Sequence, residues 1–172
     1  MVFEITLVTP DFAIGPQPAA KDFTAIREAG YAAVINVRPD DENGKYLKSA
    51  DARALAKDQG LTYAFSPSDN HALFEIDIID QFERALIELP KPIFAHCKSG
   101  TRAAILWALV ASRHREPKDA IADLRAAGQK IGFLEDELRE SAAEVRGSPL
   151  RLKDDALLSL GRSKLLGNGQ RN

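Results

Sequence analysis

Sulfur and histidine are scarce in this chain. Its 172 residues include one cysteine, one methionine and three histidines. One cysteine excludes an internal disulfide framework, and with it the class of small stapled secreted domains. Histidines at 71, 96 and 114 give no metal-ligand spacing, so neither a structural zinc nor any cofactor is expected. Neither sign of charge dominates. Lys and Arg number 23 against 25 Asp and Glu, a net charge of −2, so there is no basic footprint for nucleic acid. Long apolar runs are missing too. The longest, residues 103–111, is bounded by Arg102 and Arg113 and is too short to span a membrane. The N-terminus lacks a basic region followed by an apolar core, so no secretory leader is expected. A reduced, cytoplasmic setting follows, with neither nucleic acid nor membrane as partner. No internal repeat is visible. What remains is an ordinary globular composition, 45% hydrophobic and 28% charged, at a length that suits one domain with a real core.

Short apolar runs alternate with helical patterns. Residues 5–8, 12–14, 32–37, 61–65 and 93–96 read as strands. Phe23, Ile26 and Ala29 share one helix face, stopped by Gly30. Residues 49–59, with Leu55 and Ala56 inward, form a second helix stopped by Gly60. Ile78, Phe82, Ala85, Leu86 and Leu89 mark a third. From Thr101 to about Arg113 the pattern is apolar almost all round, which belongs in the middle of a fold. Pro117 opens a further helix ending at Gly128. Phe133, Leu134, Leu138 and Val145 mark the last. This alternation argues an α/β fold, a central mostly parallel sheet flanked by helices. Residues 1–147 are expected to form the catalytic domain, and 148–172 a partly helical or mobile extension. In parallel sheets, ligands bind beyond the carboxyl ends of strands. Three loops meet that rule: residues 38–44, 66–71 and 97–102.

The last of these carries the chemistry. His96-Cys97-Lys98-Ser99-Gly100-Thr101-Arg102 runs from a buried strand into a helix. Free backbone N–H groups and the positive helix end favour an anion at such a turn. The same field, with Lys98 and Arg102, favours thiolate over thiol. A nucleophile and an anion cradle therefore fall within seven consecutive residues. A free cysteine is most often a small buried hydrophobe, but this setting favours function.

Three stretches together resemble a known family. They are Phe12-Ala13-Ile14-Gly15-Pro16-Gln17-Pro18, Val34-Ile35-Asn36-Val37-Arg38-Pro39-Asp40 and the 96–102 run. In order and spacing, across about residues 1–145, the chain resembles the bacterial DUF442 family. This is the phosphatase-like domain of beta-lactamase hydrolase-like proteins. The resemblance implies the three-layer fold of tyrosine and dual-specificity phosphatases, with Cys97 as nucleophile and residues 97–102 as anion cradle. Some members are fused to sulfur dioxygenases and are described as sulfurtransferases. Tyrosine phosphatases carry five residues between Cys and Arg, whereas four separate Cys97 from Arg102. That count is similar to the active-site loop of rhodaneses.

Three functions share this loop. The leading expectation is sulfur transfer. Cys97 takes sulfane sulfur from thiosulfate or a persulfide and passes it to a thiol acceptor, with a sulfide-oxidising enzyme as a possible partner. Lys98, Ser99, Gly100, Thr101 and Arg102 hold the anionic donor, and no general acid is required. The alternative is phosphoester hydrolysis through a phosphocysteine. There Arg102 clamps the phosphoryl oxygens and Asp69 is the best-placed general acid, with Asp40 and Asp41 as alternatives. The third is a non-catalytic anion or persulfide binding module.

Individual residues carry ordinary readings as well. His96 either orients the loop or is a satisfied core histidine. Arg38 either faces the anion pocket or pairs with Asp40, Asp41 or Glu42. The Asp40-Asp41-Glu42 run is most simply solvated. Ser99 and Thr101 are most simply helix caps. His71 and His114 are expected on the surface, and Trp107 in the core.

Overall fold

The structure is a computed structural model and describes residues 2–144. The strands are β1 (Thr6–Thr9), β2 (Phe12–Gly15), β3 (Ala33–Asn36), β4 (Thr62–Phe65) and β5 (Ile93–His96). They form one sheet in the order β1-β2-β5-β3-β4. β1 runs antiparallel to β2, and every other pairing is parallel. The helices are α1 (Asp22–Glu28), α2 (Ser49–Asp58), α3 (Ile76–Glu88), α4 (Thr101–His114), α5 (Pro117–Ala126) and α6 (Glu135–Glu144).

Strand side chains alternate between the two faces of the sheet, and that alternation builds the layers. Phe12, Ile14, Ala33, Ile35, Ile93 and Ala95 point into a large core with α3, α4, α5 and α6. Ala13, Val34 and Phe94 point the other way, against Phe23 and Ile26 of α1 and Ala52 and Ala56 of α2. The result is the expected three-layer α/β fold. α4 is its axle: every residue from Arg102 to Ser112 is buried. Neighbours meet this helix on nearly every side, so its sequence is apolar all round. Trp107 stacks nearly parallel on Phe12, with ring centroids 5.8 Å apart.

Some expectations shift. Phe133 does not join the core. It lies in a 3₁₀ turn, Gly132–Leu134, and is 75% exposed. Ala29 falls after the last residue of α1 and is exposed, because the helix ends one residue before the apolar spacing does. Glu83 on α3 is buried, where its carboxylate meets Arg113 at 2.5 Å and His114 Nε2 at 2.5 Å. This pairing also draws His114 in from the expected surface position. Val145 and the expected extension at 148–172 lie outside the described residues. Among the described residues no helix is long and apolar enough to cross a membrane.

Two glycines let β2 and the start of α4 approach. Gly100 has φ of +100°, and a Cβ there would sit 3.1 Å from the carbonyl oxygen of Gly15. A Cβ on Gly15 would meet Glu4 O and the Phe94 ring at 2.8 Å. Side chains are excluded at both positions by conformation or by space. Gly100→Ala is therefore expected to cost about 1–3 kcal/mol, read as a lowered midpoint in a denaturant melt. A wild-type midpoint would contradict this account of the turn.

Candidate active site

The chain leaves the central strand β5 at Cys97 and enters α4 at Thr101. The segments that follow β3 and β4 end at the same edge of the sheet, and backbone bonds lace them together. Val37 N–H donates to His96 O at 2.8 Å, Ser66 N–H to Asn36 O at 2.9 Å, and Ser68 N–H to Val37 O at 2.9 Å. On the other side, Gln17 N–H donates to Lys98 O at 3.1 Å. The three loops singled out from sequence thus converge at one end of the sheet.

Cys97 is buried. The Gly100 N–H donates to its Sγ at 3.1 Å, so the first turn of the loop already aims a backbone donor at the sulfur. Gly100 also occupies the cap position of α4, and no side chain caps that helix. Ser99 and Thr101 do not cap as expected; their hydroxyls lie 3.2 Å from one another and both residues are exposed. Lys98 is exposed as well. Arg102 is buried, with its guanidinium near enough to Cys97 for the two to interact electrostatically. Its Nη1 donates to Ser68 O at 2.8 Å and to Glu42 Oε1. Burial pulls its pKa down, but the Glu42 hydrogen bond and the charges of Cys97 and Glu42 outweigh this and raise it.

Glu42 departs from the solvated reading, and Arg38 takes up the salt bridge that was one of its two alternatives. Its Nε donates to Glu42 Oε2 at 2.8 Å, its Nη2 to Asn43 O at 3.4 Å, and its guanidinium carbon lies 3.5 Å over the Tyr46 ring. Glu42, expected to be solvated, bridges Arg38 and Arg102. Burial pushes its carboxyl up, but hydrogen bonds from Arg102 and Arg38 win and hold it below the ordinary range. Glu42 is the residue beside this turn whose pairing the sequence reading did not anticipate. The available signal was its place four residues after Arg38, but Asp40 and Asp41 were equal candidates. In the structure Asp40 instead accepts from Ser49 N–H at 2.8 Å and pairs with the Ser49 hydroxyl, and Asp41 is exposed.

Asp69 lies in the loop after β4, exposed. Its Oδ1 accepts N–H bonds from His71 at 2.7 Å and Ala72 at 2.9 Å. The backbone bonds from Ala72 and then His71 lower its pKa, with a further contribution from the charge of Arg102. In this arrangement it is a carboxylate, and donating a proton requires those two bonds to be exchanged.

His96 is fully buried with its ring stacked on Phe94, centroids 6.1 Å apart. Its Nδ1 lies 3.2 Å from Cys97 O, while Nε2 has no partner among the described residues. Burial, reinforced by the charge of Arg38 and opposed by the Cys97 backbone bond, lowers its pKa from 6.5 to about 4. It is therefore neutral around neutral pH. The unfolded chain binds this proton below pH 6.5, and the native chain refuses it until about pH 4. Stability is therefore lost as pH falls through that window, by about 3 kcal/mol from this group. His96→Asn is expected to flatten that part of the pH–stability profile in denaturant melts. An unchanged profile would contradict the neutral, buried assignment.

A thiol, a backbone donor and a guanidinium thus converge at the start of a buried helix, which suits a nucleophile attacking an anionic substrate. The fold is shared with solved phosphatases. A kinase-associated phosphatase, its catalytic cysteine replaced by serine, superposes with a TM-score of 0.71 at 15% identity, covering 87% of this chain and 99% of that one. A candidate phosphatase from Neisseria meningitidis Z2491 gives 0.67 at 22% identity, covering 81% and 97%. In sequence, a beta-lactamase hydrolase-like protein of Xylella fastidiosa (strain Temecula1) is 36% identical over 106 residues. Those residues are 62% of this chain and 24% of the relative, so the match spans about a quarter of the longer protein. The family model for the beta-lactamase hydrolase-like protein, phosphatase-like domain, matches residues 4–113, from before β1 to the end of α4. That span holds the whole sheet, all three loops and the Cys97 to Arg102 turn, and the chain belongs to this family.

Proposed function

We propose that this chain hydrolyses phosphate esters through a covalent phosphocysteine on Cys97. The observation that carries the reading is the turn from Cys97 to Arg102 at the start of α4, with the Gly100 N–H on the Cys97 sulfur and a buried arginine in the first helical turn, in a phosphatase-like fold. In the first step the Cys97 thiolate attacks phosphorus, an S–P bond forms, and the P–O bond to the leaving group breaks. Arg102 and the backbone N–H groups of the loop neutralise the charge on the phosphoryl oxygens. Water then attacks phosphorus, releasing inorganic phosphate and returning the electron pair to the thiolate. Sulfur transfer ranked first on the loop sequence alone. The fold comparisons support phosphate chemistry instead.

The leaving oxygen needs a proton unless it is itself a stable anion. Asp69 is the acid in this reading, and its carboxyl must give up the His71 and Ala72 amides to act. Esters of acidic alcohols bypass that step. Cys97→Ser is expected to abolish turnover of p-nitrophenyl phosphate. Asp69→Asn is expected to slow an alkyl phosphate about 100-fold or more while leaving the p-nitrophenyl ester within about threefold. Steady-state kcat on both esters reads this directly. Equal losses on the two would remove Asp69 as the acid, and turnover in Cys97→Ser would remove the mechanism.

One observation favours a second reading. The loop holds four residues between Cys97 and Arg102, and both nearby carboxylates, Glu42 and Asp69, are held ionised. Sulfur transfer needs no acid. The thiolate attacks the outer sulfur of thiosulfate, the S–S bond breaks, and sulfite leaves with the electron pair. A thiol acceptor then takes the sulfur. Thiocyanate formed from thiosulfate and cyanide, at a rate exceeding phosphate ester turnover, would favour this reading over the first.

A further inference from the structure

We propose that Glu42 is a positioning residue for Arg102, and that Arg38 is the counter-cation that lets Glu42 hold Arg102 without cancelling its charge. The inference rests on Cys97 and Arg102 forming an anion site, and holds for either reaction above.

Nη1 of a guanidinium carries two hydrogens. In Arg102 both are engaged, one by the Ser68 carbonyl and one by Glu42. Holding that nitrogen from two sides restricts the plane of the guanidinium and leaves its remaining nitrogens for an incoming oxyanion. A planar fork binds two oxygens well only when its plane is set. Ser68 O is a backbone atom laced to β3 through Val37, and among the described residues Glu42 is the side chain that acts on the same nitrogen.

Glu42 is itself held. Its backbone oxygen lies 3.2 Å from the Tyr46 hydroxyl, which donates to Pro39 O at 2.6 Å. Lys48 Nζ donates to Asp40 O at 2.7 Å, and Asp40 in turn binds the start of α2. These bonds make the segment between β3 and α2 a fixed bracket, unlike the mobile charges of an ordinary surface pair.

A carboxylate paired with Arg102 alone would leave the pair neutral and repel an anionic substrate. Here the carboxylate is shared. Arg38 takes its other oxygen and is kept in place by the face of Tyr46. Two guanidiniums around one carboxylate leave one positive charge, and the exposed Lys98 adds another at the mouth. His96 is neutral, and the exposed Asp69 carboxylate is close enough to interact with Arg102, so Arg38, Glu42, Arg102, Lys98 and Asp69 together set the charge felt at Cys97.

The two partners of one ion pair should therefore act on Cys97 with opposite sign. Cys97 is the chain's single cysteine, so iodoacetamide alkylation at pH 7 reports on it alone. Glu42→Gln removes a negative charge and is expected to speed alkylation about threefold, while kcat/KM on p-nitrophenyl phosphate falls about tenfold because Arg102 loses its anchor. Arg38→Met is expected to slow alkylation about threefold and raise KM about tenfold, and Arg38→Lys is expected to recover most of both. Opposite shifts in the two charge-removing variants support the proposal. Shifts of one sign, or rates equal to wild type in both, overturn it and leave the pair a structural contact. Thermal melts confirm that each variant is folded. Should Glu42→Gln not fold, the two Arg38 variants decide: slow alkylation in Met with recovery in Lys supports, equal rates overturn. The alkylation arm needs no substrate. An absence of phosphatase turnover would count against the proposed reaction and leave this result standing.

Discussion

Arg102 is where the parts of this site meet. It lies in the first turn of the buried helix α4, five residues after Cys97, and reaches the segments that leave β3 and β4 through Glu42 and Ser68. A buried guanidinium must have its donors satisfied, since leaving a charged group unpaired in the interior costs several kcal/mol. Its partners therefore cannot be arbitrary. They come from the segments that follow β3 and β4, whose ends lie at the same edge of the sheet. The parallel order places β5 between β2 and β3 and makes that meeting possible.

The burial of α4 follows from the same constraint. A helix that carries the site's arginine in its first turn is useful only if that turn does not move. α4 is enclosed along its length, with Trp107 against Phe12 and the neighbouring helices α3, α5 and α6 around it. Each large side chain buried there contributes roughly 1.5–3 kcal/mol before conformational entropy is counted. A glycine at 100, with its positive φ and the Gly15 backbone against it, lets β2 lie directly against the anion loop. Rigidity at the cradle is thus a consequence of core packing and backbone proximity together.

Much of this was legible in the residues. The strand at 93–96 and the helix beginning at Thr101 stand where apolar runs and the Gly100 turn place them. Side-chain periodicity is a local property, and it also separated the loops that converge. Pairings between distant segments were not legible. Arg38 read equally well as an anion ligand or as half of a salt bridge. The outcome depended on where Tyr46 and Glu42 sit in three dimensions, which no local pattern encodes. Glu83, an acid within an otherwise amphipathic helix, is buried because Arg113 and His114 arrive from α4, thirty residues on. Phe133 failed in the opposite sense. An apolar residue at helical spacing was left outside because a 3₁₀ turn, not an α-helix, carries it.

The central claim is that Cys97, served by Arg102, is the nucleophile toward a phosphoryl group. Intact mass after rapid acid quench, with an aryl phosphate in one sample and thiosulfate in another, tests it most directly. The account predicts a phosphoryl adduct that maps to Cys97 in the first sample. A sulfur adduct on Cys97 from thiosulfate, with no phosphoryl adduct and no phosphate released, would contradict it and make sulfur the group that this loop transfers.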